Sequence, residues 1–109
     1  MAFDEGLAER IRSILDERQG LEEKKMFGGI GFLLRGNMAC GVNKDELIVR
    51  VGTEKYEDML SRPHVKVFDM TGRPMKGWVV VNPPGFEDDS DLAFWVGEGV
   101  EFALSLPPK

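Results

Sequence analysis

Apolar residues gather in three strand-length runs: Ile30-Gly31-Phe32-Leu33-Leu34, Met38-Ala39-Cys40-Gly41-Val42 and Leu47-Ile48-Val49-Arg50-Val51. Two short polar turns separate them, and this spacing over Lys25 to Val51 predicts an antiparallel meander. With Gly36-Asn37 as the first hairpin turn, Arg35 faces Met38, Leu33 faces Cys40, and Phe32 lies over Gly41. A second turn at Lys44-Asp45 sets Val42 opposite Leu47. One face then collects Leu33, Cys40, Val42, Leu47, Val49 and Val51; the other collects Ile30, Phe32, Leu34, Ile48 and Arg50. Side chains alternate with a period of two, so a slip of one residue changes these memberships.

Around the meander the pattern turns helical. Asp4 suits an N-cap, with Phe3 placed to staple against Ala8. Leu7, Ile11, Ile14 and Leu15 follow on one narrow stripe, and Gly20 suits the left-handed position after the helix. Thr53 begins a short helix that runs to about Leu60 or Ser61 and is stopped by Pro63. Val65–Phe68 and Gly77–Val81 read as two further strands, joined by a turn at Thr71-Gly72-Arg73-Pro74. After the Asn82-Pro83-Pro84-Gly85 breaker, a last helix starts near Ser90 and ends at Pro107-Pro108. Its apolar residues Leu92, Trp95, Val96, Val100, Phe102, Ala103 and Leu106 cover more than half its circumference, which suggests burial on more than one side and a homodimer contact. The order α-β-β-β-α-β-β-α, with adjacent hairpins, predicts a single α+β domain over residues 1–109: two layers with an antiparallel sheet.

Composition narrows the functional classes. The chain has 109 residues, 42% of them hydrophobic and 30% charged, an ordinary globular balance. The start, Met1-Ala2-Phe3-Asp4-Glu5, is acidic and reads as neither a secretory signal nor a transit peptide, so the expected location is the cytoplasm, with no membrane partner. A formal charge of −5 repels phosphate backbones and argues against direct nucleic-acid binding.

Few residues invite chemistry. Gly28, Gly29, Gly31 and Gly36 lead into a hairpin rather than a helix N-terminus, so a bulged or closely approached strand explains them better than a phosphate loop. Cys40 is the lone cysteine and His64 the lone histidine. A thiol-dependent enzyme would need those two side chains in contact beside a pocket, whereas a strand cysteine between Ala39 and Gly41 reads as an inert core thiol. Glu87, Asp88, Asp89 and Asp91 lack the spacing of a calcium loop and suit helix capping. Arg73-Pro74-Met75-Lys76-Gly77-Trp78 sets two cations and an indole around a hairpin, the makeup of an anion or partner-protein contact, with Arg35 and Arg50 as further cations.

The strings Met26-Phe27-Gly28-Gly29-Ile30-Gly31, Gly36-Asn37-Met38-Ala39 and Leu47-Ile48-Val49-Arg50-Val51 resemble the N-terminal domain of the TfoX/Sxy family. Gly72 to Trp78 and Leu106-Pro107-Pro108-Lys109 look like its short, single-domain members. The similarity runs from about Lys25 to the end. It implies a two-layer fold similar to secretion chaperones and the YgaC-like group. The family's namesake regulates competence genes alongside the cyclic-AMP receptor protein. The resemblance implies no catalytic, cofactor or metal residues, and none are expected.

The resulting expectation is a non-enzymatic cytoplasmic module that binds a protein partner in transcription regulation. Its contact residues are expected at Phe32, Arg35, Arg73, Lys76 and Trp78, and a homodimer would use the last helix or the outer sheet face. The alternatives are the thiol enzyme built on Cys40 and His64, and weak direct DNA contact through the arginine-bearing turns.

Overall fold

The computed structural model describes residues 4–15, 20–26, 29–69, 72 and 75–107. Helix α1 (Glu5–Leu15) leads into strands β1 (Leu21–Met26), β2 (Gly29–Leu34), β3 (Asn37–Asn43) and β4 (Glu46–Arg50). Helix α2 (Tyr56–Leu60), strands β5 (Val65–Val67) and β6 (Trp78–Val81), a 3-10 turn (Pro83–Phe86) and helix α3 (Asp89–Ser105) complete the order. All strand pairs are antiparallel, in one six-stranded sheet ordered β1-β2-β3-β4-β6-β5. The predicted α+β architecture holds, with one strand added at the edge: β1, whose Glu22-Glu23-Lys24-Lys25 carries no apolar alternation.

Register decides which side chains meet. Ile30, Val42, Leu47, Val81 and Val65 form one row across the sheet, and Phe32, Cys40, Val49, Val79 and Val67 the next. Apart from the half-buried edge residues Val65 and Val67, both rows belong to one core cluster with Leu7, Ile11, Tyr56, Met59, Leu92 and Val96, and Val65 packs against it. On the opposite face, Gly31, Gly41, Ile48, Val80 and Lys66 align.

The predicted β2–β3 register is one residue out up to Phe32 and two residues out beyond it. The turn is Arg35-Gly36, with φ of 54° and 85°, the left-handed pair that a two-residue hairpin of native twist requires. Phe32 therefore pairs with Cys40 and Leu33 with Met38, across a bulge between Phe32 and Leu33. This moves Ile30, Phe32 and Leu34 to the helix face and Leu33 to the other side. Asn37, freed from the turn, is buried and donates from Nδ2 to the Pro107 carbonyl at 2.9 Å. Val42 faces Leu47 as expected.

Caps follow local chemistry. The Leu7 amide donates to Asp4 Oδ1 at 3.2 Å, confirming the α1 cap; the Phe3 staple lies outside the described residues. The second helix starts later than expected, at Tyr56. Asp88 stands at the N-cap position of α3 without a side-chain capping bond, and Asp89 and Asp91 occupy the first turn, near the positive helix end. Arg10 ties α1 to this point through the Phe86 and Glu87 carbonyls and Asp89.

The breadth of apolar residues on α3 has an intrachain cause. Leu92, Trp95, Val96, Gly99, Val100 and Ala103 are buried as the helix lies across β2, β3 and β4 and against α1 and the 3-10 turn. Phe94 and Leu104 remain exposed, with the Arg62 guanidinium 4.6 Å from the Phe94 ring centre. No helix among the described residues is long and apolar enough to cross a membrane.

Candidate functional site

Three cations stand at one end of the sheet. In β4 the residue at that end is Arg50, paired with Trp78 at the start of β6. Antiparallel order brings the β2–β3 turn, with Arg35, and the turn before β6, with Lys76, to the same end. Both Arg35 and Lys76 are exposed. Backbone bonds build this corner. The Val51 and Gly52 amides both donate to the Gly77 carbonyl, at 2.8 and 3.0 Å.

At the corner the Arg50 guanidinium sits between two aromatic rings, 5.2 Å from the Trp78 centroid and 5.1 Å from that of Phe102 on α3. Phe68 lies beside Trp78, its ring centre 6.1 Å away and its plane tilted by 42°. All four side chains are half-buried. Cation–π attraction of this kind contributes about 0.5–1 kcal/mol per exposed pair. Among the described residues Arg50 makes no ion pair and no side-chain hydrogen bond. Among the described residues the two ring faces are its side-chain contacts, and its N–H donors meet no acceptor.

Beside the corner opens a cleft of about 410 Å³, walled by Val51, Gly52, Thr53, Phe102 and Ser105. Gly52 is required there twice over: its φ is 85°, and a Cβ would sit 2.5 Å from the Phe102 ring. Glu54, Lys55, Glu98 and Glu101 line the cleft as well. Lys55 Nζ lies 3.0 Å from Glu98 and 3.4 Å from Glu101, and the Glu98 hydrogen bond is the main cause that raises the ammonium pKa. That pairing draws the two carboxylates toward Lys55.

The expected contact residues separate. Trp78, Lys76 and Arg35 share the sheet end with Arg50. Arg73 lies outside the described residues. Phe32 is fully buried under the helices, so it is a core residue and presents no contact surface. Its reassignment follows directly from the shifted hairpin. The residue that sequence reasoning missed is Phe102, which was expected only to widen the apolar arc of α3. Arg50 did carry a signal: a lone cation inside an otherwise apolar strand run, on the outward-facing alternation.

Thiol chemistry fails on geometry. Cys40 is fully buried in the central strand β3, while His64 is exposed just before the edge strand β5. Three strand spacings separate the two strands, roughly 14 Å. Burial pushes the Cys40 thiol up to about 12. The folded chain keeps that proton where the unfolded chain, near the ordinary 9.0, releases it. Stability from this group is therefore whole below pH 9 and declines as pH rises toward 12. Two results are expected: iodoacetamide labels Cys40 at pH 8 only after denaturant is added, and Cys40→Ala flattens the alkaline fall in stability measured by urea titration.

The glycine-rich entry to β2 is structural. A Cβ on Gly29 would lie 2.2 Å from the Val42 carbonyl oxygen, so the neighbouring backbone occupies that space. Gly28 lies outside the described residues.

A family model for the TfoX N-terminal domain matches residues 13–103. The chain belongs to the TfoX N-terminal domain family. No curated protein matches it. The match spans every strand, α2 and most of α3, so the Arg50 corner of this TfoX N-terminal domain lies wholly within the family's region.

Proposed function

We propose that this TfoX N-terminal domain is a non-enzymatic interaction module that acts in transcription regulation through a protein partner, docked at the Arg50 corner of the sheet. The observation that carries this reading is the half-exposed guanidinium held between Trp78 and Phe102 with no acceptor of its own among the described residues. Aromatic rings and arginine in fixed positions are the groups that dominate binding energy at protein contacts. The burial of Cys40, far from His64, removes the nucleophile that the rival enzymatic reading needed.

Affinity capture from native lysate tests the proposal when the wild-type chain is run beside Arg50→Gln and Trp78→Ala. Arg50→Gln is expected to leave the melting temperature within a few degrees, Trp78→Ala to lower it while circular dichroism shows the fold retained, and both to lower retention of the captured protein at least tenfold. Equal retention by all three chains, or no specific protein retained by the wild type, contradicts the proposed surface.

A further inference from the structure

We infer that the Arg50 corner recognises a carboxylate side chain on a peptide segment of its partner; this deepens the reading above and rests on it. A guanidinium offers five N–H donors in a rigid fork that matches a carboxylate in two parallel bonds. Here the fork is already positioned by two rings, so little conformational freedom is lost when an acceptor arrives. Arg35 and Lys76 stand at the same end of the sheet as further cations, while Glu54, Glu98 and Glu101 keep the adjoining cleft acidic.

Charge also selects among anions. Glu54, Glu98 and Glu101 line the adjoining cleft with Lys55 as their one lysine neighbour there. Their repulsion falls about twice as heavily on a phosphate dianion as on a carboxylate monoanion. The cleft along Gly52, Thr53 and Phe102 gives room for the residue next to the acid, and the half-buried faces of Trp78 and Phe68 suit an apolar neighbour. The occupant is therefore an extended segment carrying a single aspartate or glutamate beside an apolar residue.

The probes are a blocked peptide carrying one glutamate beside a leucine, its glutamine counterpart, and inorganic phosphate. Each is titrated into the whole chain while tryptophan fluorescence and the Arg50 side-chain N–H resonance are followed. The glutamate peptide is expected to saturate both signals, with affinity at least tenfold above the glutamine peptide and above phosphate. Arg50→Lys, which keeps the charge and loses the fork, is expected to weaken it about tenfold while circular dichroism shows the fold retained. Equal affinity for the two peptides, stronger binding of phosphate, unchanged affinity in Arg50→Lys, or no saturation overturns the inference. Where capture from lysate stays dependent on Arg50 but the glutamate peptide fails, the carboxylate assignment falls and the docking corner stands.

Discussion

Replacing Gly99 by alanine is expected to lower the melting temperature by roughly 10 °C or more, whereas the same replacement at Gly97, two residues away, is expected to raise it. The opposed signs come from what a methyl group meets. At Gly99 the added Cβ would sit 2.2 Å from the Ala39 carbonyl oxygen and 2.9 Å from its carbon. Those are backbone atoms of the central strand β3 at the bulge, where Ala39 is fully buried between strand and helix, so α3 or the bulge must shift. Overpacking of this kind costs about 1–3 kcal/mol, and rigid backbone on the receiving side puts Gly99→Ala at the upper end. Gly97 faces solvent with nothing within 4 Å of its built Cβ. There alanine only improves helix propensity and restricts the unfolded chain, a gain of about 0.5–1 kcal/mol. Differential scanning calorimetry of the two variants checks the pair in one comparison. A fall at both positions would mean that α3 is seated differently.

The second large effect is at Phe32. Phe32→Ala is expected to destabilise the chain by about 3–5 kcal/mol, since it empties a fully buried ring site between α3 and the sheet centre. A domain of this size has about 5–15 kcal/mol in total, so the variant lies near the unfolding threshold. Urea titration reads this directly. A contact residue on an open sheet face, as the unshifted hairpin placed it, would instead leave the urea midpoint nearly unchanged and alter binding alone. The experiment therefore separates the two registers as well as measuring the core.

The error at that hairpin shows what the sequence carries and what it withholds. Alternation of apolar residues identified β2, β3 and β4 and the pairing of Val42 with Leu47, because burial on one face imposes a period of two. It did not choose between Gly36-Asn37 and Arg35-Gly36 as the turn. Asparagine and glycine are the favoured left-handed residues, and arginine at φ 54° is uncommon. What decided the matter is tertiary: Asn37 is taken into the core by the Pro107 carbonyl, seventy residues on. Strand β1 was illegible for a different reason. An edge strand bearing Glu22, Glu23, Lys24 and Lys25 is protected from unwanted pairing by the same charges that erase its apolar pattern.

The candidate site was half legible. Lys76 and Trp78 stood out as cation and indole around a turn, and Arg35 and Arg50 as cations that would matter if they lay nearby. Antiparallel order is what brings them to one end. Phe102 was not readable as a site residue, since its helical spacing places it among core positions. Only the packing of α3 against the Gly52 corner turns its ring toward Arg50. Cys40 shows the reverse case. Its strand position between Ala39 and Gly41 already read as an inert thiol, and full burial in the central strand agrees with that.

Docking through the Arg50 corner is tested most directly by nuclear magnetic resonance mapping with the captured partner. Titrating the isotopically labelled chain should move the amides of Arg50, Gly52, Gly77 and Trp78 and the ring of Phe102, leaving the Phe94 and Leu104 side of α3 unchanged. Shifts gathered around Phe94 and Leu104, with the Arg50 corner silent, would contradict it.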